Sequence, residues 1–176
     1  MIRYFKKAIP LSIIATGIMA SASFADTFTL RVGSGHPSKP TAYVTNMEKV
    51  FVPNIKKRVA AETNHKVRII EAYAGKIAKV HETLEAVEKG LLDIGSYCVC
   101  FETAKLLPWN FDYFVPFTTT NLETNWAVKH KILKQFPYLT KMLEDKYNQK
   151  FIAMQGFDDY GLGTVKQWQK ASELKG

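Results

Sequence analysis

Three short segments place glycine beside polar or aromatic side chains that could bind a ligand, and each follows an apolar run. Residues 33–37 read G-S-G-H-P, residues 73–76 read Y-A-G-K, and residues 96–102 read S-Y-C-V-C-F-E. Glycine allows a backbone to approach a ligand closely. Histidine and lysine can bind an anion, and aromatic rings can pack against apolar groups. These residues indicate non-covalent recognition of a small, partly apolar anion.

Within the first two segments, Gly35, His36 and Tyr73 are the candidate binding residues, and Lys79 adds positive charge close behind. The free N–H groups at the start of the helix predicted there favour an anion. A plain turn with solvated side chains would account for each of these residues equally well. In the third segment Tyr97 and Phe101 could form an aromatic wall for an apolar ligand group, or belong to the core.

A later segment, residues 157–161, reads F-D-D-Y-G and supplies two further candidates, Asp158 and Tyr160. The neighbouring Asp158 and Asp159 suggest acid–base chemistry at first sight. Adjacent side chains rarely point at one atom, however, and no second carboxylate or nucleophile has a recognisable spacing. We therefore predict binding and no catalytic residue.

Only two cysteines occur, Cys98 and Cys100. If they lie in a strand, both side chains point to one face, and their Cα atoms stand near the upper distance limit for a disulfide. No second cysteine pair exists for a zinc site. The sequence therefore favours buried or half-buried thiols over a disulfide, a metal site or a redox site.

The candidate residues need a scaffold of alternating strands and helices, which the apolar pattern provides. Residues 66–102 read as a strand, a glycine loop, an amphipathic helix and a strand, which is one βαβ unit. Ligands of such sheets bind beyond the carboxyl ends of the strands. The chain as a whole predicts an α/β lobe with a mostly parallel sheet flanked by helices. Strands are predicted at 27–35, 67–72, 91–100 and 150–157, and helices at 40–62, 77–89, 122–135 and 137–147.

Inside these elements the apolar positions predict the core. Val44 and Val50 should face inward from the first helix, which Pro53 should kink or split. Leu91 to Cys100 should be buried on both faces. Gly90 should end the second helix in a left-handed conformation. Three later aromatic residues are also expected in the core: Phe111, Phe114 and Phe117.

The N-terminus has the pattern of a secretory signal peptide. Three cations within the first seven residues precede an apolar run from Ala8 to Ala20, and Ser23 and Ala25 are small residues before a cleavage point. We predict cleavage after Ala25, with an uncleaved anchor as the alternative. The formal net charge of +8 is not gathered in a basic stripe, so nucleic acid is not indicated as a partner.

From about Leu30 to Gly176, the chain resembles the solute-binding proteins of TRAP-type (tripartite ATP-independent periplasmic) transporters, the DctP family. The resemblance rests on A-G-K-I-A-K-V-H-E-T-L-E-A-V-E-K-G-L-L-D-I-G at residues 74–95, with L-R-V-G before it and L-P-W-N-F-D, P-F and E-L-K-G after it. No single piece is specific, but their order and spacing are.

The resemblance implies a periplasmic receptor that captures a small organic acid and delivers it to a TRAP-type membrane permease, without a cofactor or enzymatic activity. It places solute contacts at Lys79 and Cys98. It also implies two lobes joined by a hinge, with a first lobe at residues 26–155 and the start of a second, truncated lobe at 156–176. Many members carry an arginine around Tyr160, which this chain lacks. Their carboxylate-clamping arginine falls after the position of Gly176.

Two other functions remain open from the sequence. One is an exported enzyme that uses Cys98 or Cys100 with a histidine, although no C-x-x-C or nucleophile-elbow pattern is present. The other is a metal or haem scavenger that uses His36, His81 and the thiols, although their spacing gives it no support.

Overall fold

The computed structural model describes residues 25–115, 119–156 and 163–174 and has an α/β fold. Its open, parallel, three-stranded sheet is flanked by helices, which confirms the predicted fold class. Strands β1 (Thr27–Gly33), β2 (Lys66–Ala72) and β3 (Ile94–Gly95) lie in the order β2-β1-β3. The predicted signal peptide falls on residues outside the described ranges, apart from Ala25.

Strand β1 is central and sets the register of the sheet. It pairs with β2 over its whole length, from Thr27 opposite Lys66 to Gly33 opposite Ala72. It pairs with β3 only at its end, where Gly33 lies opposite Gly95. The three carboxyl ends therefore meet at one edge of the sheet.

The first helical segment consists of α1 (Ala42–Asn46), a π-helical turn (Met47–Phe51) and α2 (Val52–Glu62). The change of pattern falls next to Pro53, which has no N–H to donate to a preceding carbonyl. Val44 and Val52 are buried, but Val50 is 52% exposed, so its predicted inward position is wrong. The wider π turn shifts the residues within it out of the α-helical period on which that prediction was based.

Between β2 and β3 the helical segment is shorter than predicted: a 3-10 turn (Val80–Glu82) leads into α3 (Thr83–Glu88). The carboxylate of Glu82 accepts a hydrogen bond from the N–H of Lys79 at 2.9 Å, which starts the helix there and leaves Ile77 outside it. Gly90 ends the helix at a φ of +68°, as predicted.

Strand β3 is much shorter than the predicted 91–100. Leu92 is buried, but Leu91 is 52% exposed, so the run is not buried on both faces. After the N–H of Ser96 donates to Gly33 O at 2.9 Å, the chain leaves the sheet. It bonds locally in a 3-10 turn (Val99–Glu102), with Phe101 N donating to Cys98 O at 3.1 Å. This turn replaces the rest of the predicted strand.

A helical layer packs against α3. It contains a long 3-10 segment (Leu107–Phe114), α4 (Leu122–Gln135) and α5 (Tyr138–Tyr147), and the two α-helices agree closely with the predicted ranges. The indole N–H of Trp109 donates to Leu139 O at 3.1 Å. The main core cluster is formed by Leu84, Leu106, Trp109, Leu133, Leu139 and Leu143.

Two predictions for the later residues are wrong. Phe114, at the end of the 3-10 segment, is 68% exposed and outside the core. Residues 151–156 form no strand in the described part of the chain. Phe151 instead packs on Trp109, with ring centroids 5.3 Å apart, and Gln155 accepts a hydrogen bond from Asn46. The two-residue β3 offers too short a ladder for another strand to join.

Among the described residues, no helix combines the length and apolar character needed to span a bilayer.

Candidate functional site

The loops that follow the three strands meet at the carboxyl edge of the sheet. The first two loops are joined by backbone hydrogen bonds: Ala74 N donates to His36 O at 3.0 Å, and Gly75 N donates to Ser34 O at 3.3 Å. Ala74 and Gly75 both have positive φ, which forms the tight turn after β2. These hydrogen bonds hold the two loops side by side, so that they form one continuous surface.

Gly35 brings this surface against the start of the helical segment before β3. A Cβ at Gly35 would lie 2.3 Å from Val80 N and 2.4 Å from the carbonyl carbon of Lys79. The N–H of Gly35 donates to Thr83 Oγ1 at 3.2 Å, and that hydroxyl donates to Lys79 O at 3.0 Å. The glycine thus permits close approach of protein backbone, and it places exposed Lys79 beside the first loop.

An aromatic cluster crosses the same edge. The ring of Phe101, from the turn after β3, has its centroid 5.1 Å from that of His36 and 5.3 Å from that of His81. His36 Nδ1 lies 2.6 Å from the hydroxyl of Tyr43. Burial raises the pKa of the Tyr43 hydroxyl. The structure thus brings together His36 and Phe101, and it adds His81 and Tyr43, which the sequence did not indicate as part of this site.

The two predicted tyrosines are engaged within the protein. The hydroxyl of Tyr73 donates to a carboxylate oxygen of Glu71 at 2.9 Å. The hydroxyl of Tyr97 donates to Gln149 Oε1 at 3.0 Å, and Gln149 Nε2 donates to Leu84 O at 2.8 Å. Burial raises the pKa of both hydroxyls, and the carboxylate of Glu71 raises that of Tyr73 further. Tyr97 packs against the main core cluster.

Cys98 and Cys100 form a disulfide, which corrects the expectation of free thiols. That expectation assumed a strand, in which residues two apart are separated by about 6.6–6.8 Å. The 3-10 turn shortens the Cα–Cα distance to 5.2 Å, inside the range of disulfides. The predicted solute contact at Cys98 is therefore a disulfide sulfur, which accepts a hydrogen bond from the N–H of Cys100 at 3.4 Å.

A groove of about 240 Å³ opens beside Cys100. Its floor is held by Asn110, whose side-chain amide donates to Val99 O at 3.1 Å and to Leu106 O at 3.0 Å. The other lining residues are neutral: Thr103, Leu107, Tyr113 and Phe114.

An ion pair attaches the start of β3 to the central strand β1. The Arg31 guanidinium donates to both carboxylate oxygens of Asp93, each at 3.1 Å. The backbones also bond, because Asp93 N donates to Arg31 O at 2.8 Å. Hydrogen bonding from Arg31 holds the pKa of Asp93 below its usual value. These residues belong to the L-R-V-G and G-L-L-D pieces, which sequence reasoning had not connected.

Asp158 and Tyr160 lie outside the described residues, and their predicted roles stay predictions. Within the ranges that are described, no group of three or more histidine, cysteine or acidic side chains is arranged to hold a metal ion.

Comparisons of the chain with protein-family models, with curated proteins and with solved structures found no match.

Proposed function

We propose that this chain is the ligand-binding part of a solute receptor, a protein that captures a small molecule without changing it. The observation that carries the proposal is at the carboxyl edge of a parallel sheet: the rings of His36 and Phe101 meet there, and the backbone of Lys79 packs against Gly35. This edge is where open α/β sheets bind their ligands.

The chemistry of the edge supports a small organic acid with an apolar or aromatic portion. Lys79, which is exposed beside the first loop, offers positive charge for a carboxylate. Phe101, whose ring lies near the imidazoles of His36 and His81 and is partly exposed, offers an apolar surface for the rest of the ligand. The resemblance to TRAP-type solute-binding proteins supports the same ligand class.

The particular receptor that we propose is a periplasmic one of the TRAP type, which hands its solute to a membrane permease. The predicted signal peptide and the motifs at residues 74–95 support this proposal. In a two-lobed receptor the ligand would be enclosed by hinge closure, so no covalent chemistry is required.

A ligand-binding titration tests the proposal. Aliphatic and aromatic mono- and dicarboxylic acids are screened by thermal stabilisation, and hits are measured by isothermal titration calorimetry. For a ring-bearing acid, we expect Phe101→Ala to weaken binding about tenfold or more, because an apolar contact worth about 1.5–3 kcal/mol is lost. Phe28→Ala is the matched control, since Phe28 is 52% exposed at the other end of β1. Equal effects of the two variants, or no binding of any acid, would contradict the proposal.

The cysteines separate a receptor from a thiol enzyme. We expect the Cys98→Ser/Cys100→Ser variant to keep ligand-induced thermal stabilisation, because neither sulfur does chemistry in a receptor. Product formation by the wild-type protein, lost in this double variant, would favour the enzyme instead.

A further inference from the structure

The Cys98–Cys100 disulfide has no role in the proposed capture of a solute, yet it lies in the turn that carries Phe101. Cys100 lines the open groove described above, whereas Cys98 is not among the residues that line it. Both cysteines are half-buried, but only Cys100 lies at the wall of this groove, so a molecule in the groove meets Cys100 first.

We propose that this disulfide is a site of thiol–disulfide exchange, at which a low-molecular-weight thiol enters the groove and modifies Cys100. The thiolate of the incoming molecule forms a new S–S bond with Cys100 Sγ. The Cys98–Cys100 bond breaks, and Cys98 leaves as a thiolate, which takes a proton from water. One disulfide replaces another, so no external oxidant is needed.

The hydrogen bonding around the disulfide also favours attack on Cys100 with Cys98 as the leaving sulfur. Cys98 Sγ already accepts the N–H of Cys100 at 3.4 Å. A donated hydrogen bond stabilises the negative charge that a sulfur acquires when it leaves. Cys98 is therefore suited to leave and Cys100 to be attacked.

The groove is suited to admit such a thiol. Its volume is about 240 Å³, and none of its lining residues is acidic, so an anionic thiolate meets no fixed negative charge at the wall. Exchange opens the covalent link across the turn. Because Phe101 follows Cys100 directly, a thiol adduct at Cys100 would lie next in sequence to the ring that packs near His36 and His81.

The test uses the whole chain and glutathione as the thiol. The protein is incubated with glutathione under native conditions, quenched with acid, alkylated with N-ethylmaleimide and mapped by peptide mass spectrometry. We expect glutathione on Cys100 and maleimide on Cys98, with an excess of about tenfold or more over the reverse pattern. The urea-unfolded chain is the reference, in which the two patterns should be about equally frequent because the groove is gone.

Two matched variants test the part played by the groove. Thr103→Tyr should fill it and slow modification of Cys100 several-fold, whereas Ala104→Tyr, next in sequence but outside the groove lining, should leave the rate unchanged. Equal labelling of both cysteines in the native protein, or preferential labelling of Cys98, would overturn the proposal. Formation of the adduct only in the unfolded chain would overturn it as well.

Discussion

Gly35 occupies a position at which the protein has no space for a side chain. An added Cβ would overlap backbone atoms of Lys79 and Val80, and backbone cannot move aside as the end of a flexible side chain can. The contact also joins the first loop of the candidate site to the segment that precedes α3. Stability and the geometry of the site therefore depend on this one residue.

We expect Gly35→Ala to lower the free energy of unfolding by about 1–3 kcal/mol or more, because the overlap forces the backbone to shift. Urea denaturation measures the change. Gly163→Ala is the control, since its Cβ would meet nothing within 4 Å. If the two variants were equally stable, the close packing at Gly35 would be disproved.

At this scale the sequence predicted part of the candidate site. His36 and Phe101 could be placed at one edge because each follows a recognisable strand, and parallel strands end on the same side. Tyr43 and His81 could not, since their inclusion depends on side-chain directions within short helical segments. The disulfide was missed for a related reason: an apolar run was read as a strand where the backbone forms a 3-10 turn.

The ion pair of Arg31 and Asp93 strengthens the attachment of β3 to β1, which few ladder hydrogen bonds support. Strand β3 has only two residues, so its ladder with β1 is short. The bidentate ion pair and the backbone bonds beside it extend the connection beyond the ladder. We infer that Asp93 fixes the position of β3 and, through it, of the turn that carries Phe101.

Asp93→Asn should lower the melting temperature by a few degrees at neutral pH. Because the folded pKa of Asp93 is depressed, its contribution is complete above the unfolded value of about 3.9 and is lost as the pH falls through the folded pKa. The difference in melting temperature between the variant and the wild type should therefore be constant from about pH 7 to pH 5 and shrink below about pH 4.

Thermal melts across this pH range check the expectation. Glu62→Gln is the control, because Arg58 and Glu62 pair within one exposed helix and connect no separate elements. It should change the melting temperature less than Asp93→Asn. A difference for Asp93→Asn that persists undiminished at the lowest pH would contradict an electrostatic role.

The accuracy of the element predictions followed the strength of local signals. Helix α4 begins after Asn121, whose side chain accepts the N–H of Thr124 at 2.8 Å, and α5 ends at Asn148 in a left-handed conformation. Both boundaries are set by neighbouring residues, so the sequence could place them. A strand at 150–157 would need a partner strand, and whether β3 is long enough to pair with it cannot be judged from residues 150–157 alone.

Over the whole molecule, many large apolar side chains remain exposed in the described residues. Phe114 is 68% exposed and Ile152 is 60% exposed. Others with about half of their surface exposed include Tyr113, Val115, Trp126, Val128, Phe136 and Tyr138. Exposed apolar surface on this scale favours association with other molecules.

We therefore expect this chain to self-associate or aggregate at micromolar concentration. Phe114→Lys/Ile152→Lys should raise the monomer fraction, because it removes two of the most exposed apolar side chains and adds charge. Size-exclusion chromatography with light scattering measures the effect. Val165→Lys, in a segment (residues 163–174) whose described residues are all exposed, should change the monomer fraction less. A wild-type protein that runs as a monomer with one cooperative thermal transition would disprove the expectation.

The central place of β1 in the sheet bears on the order in which the chain assembles. Its partner strands come late in the sequence: Thr27 lies opposite Lys66, 39 positions later, and Val32 lies opposite Ile94, 62 positions later. Contacts over such separations require long loops to close, which slows folding. During synthesis, β1 is the first of the three described strands to be made, and one of its edges stays uncovered until β3 has been made as well.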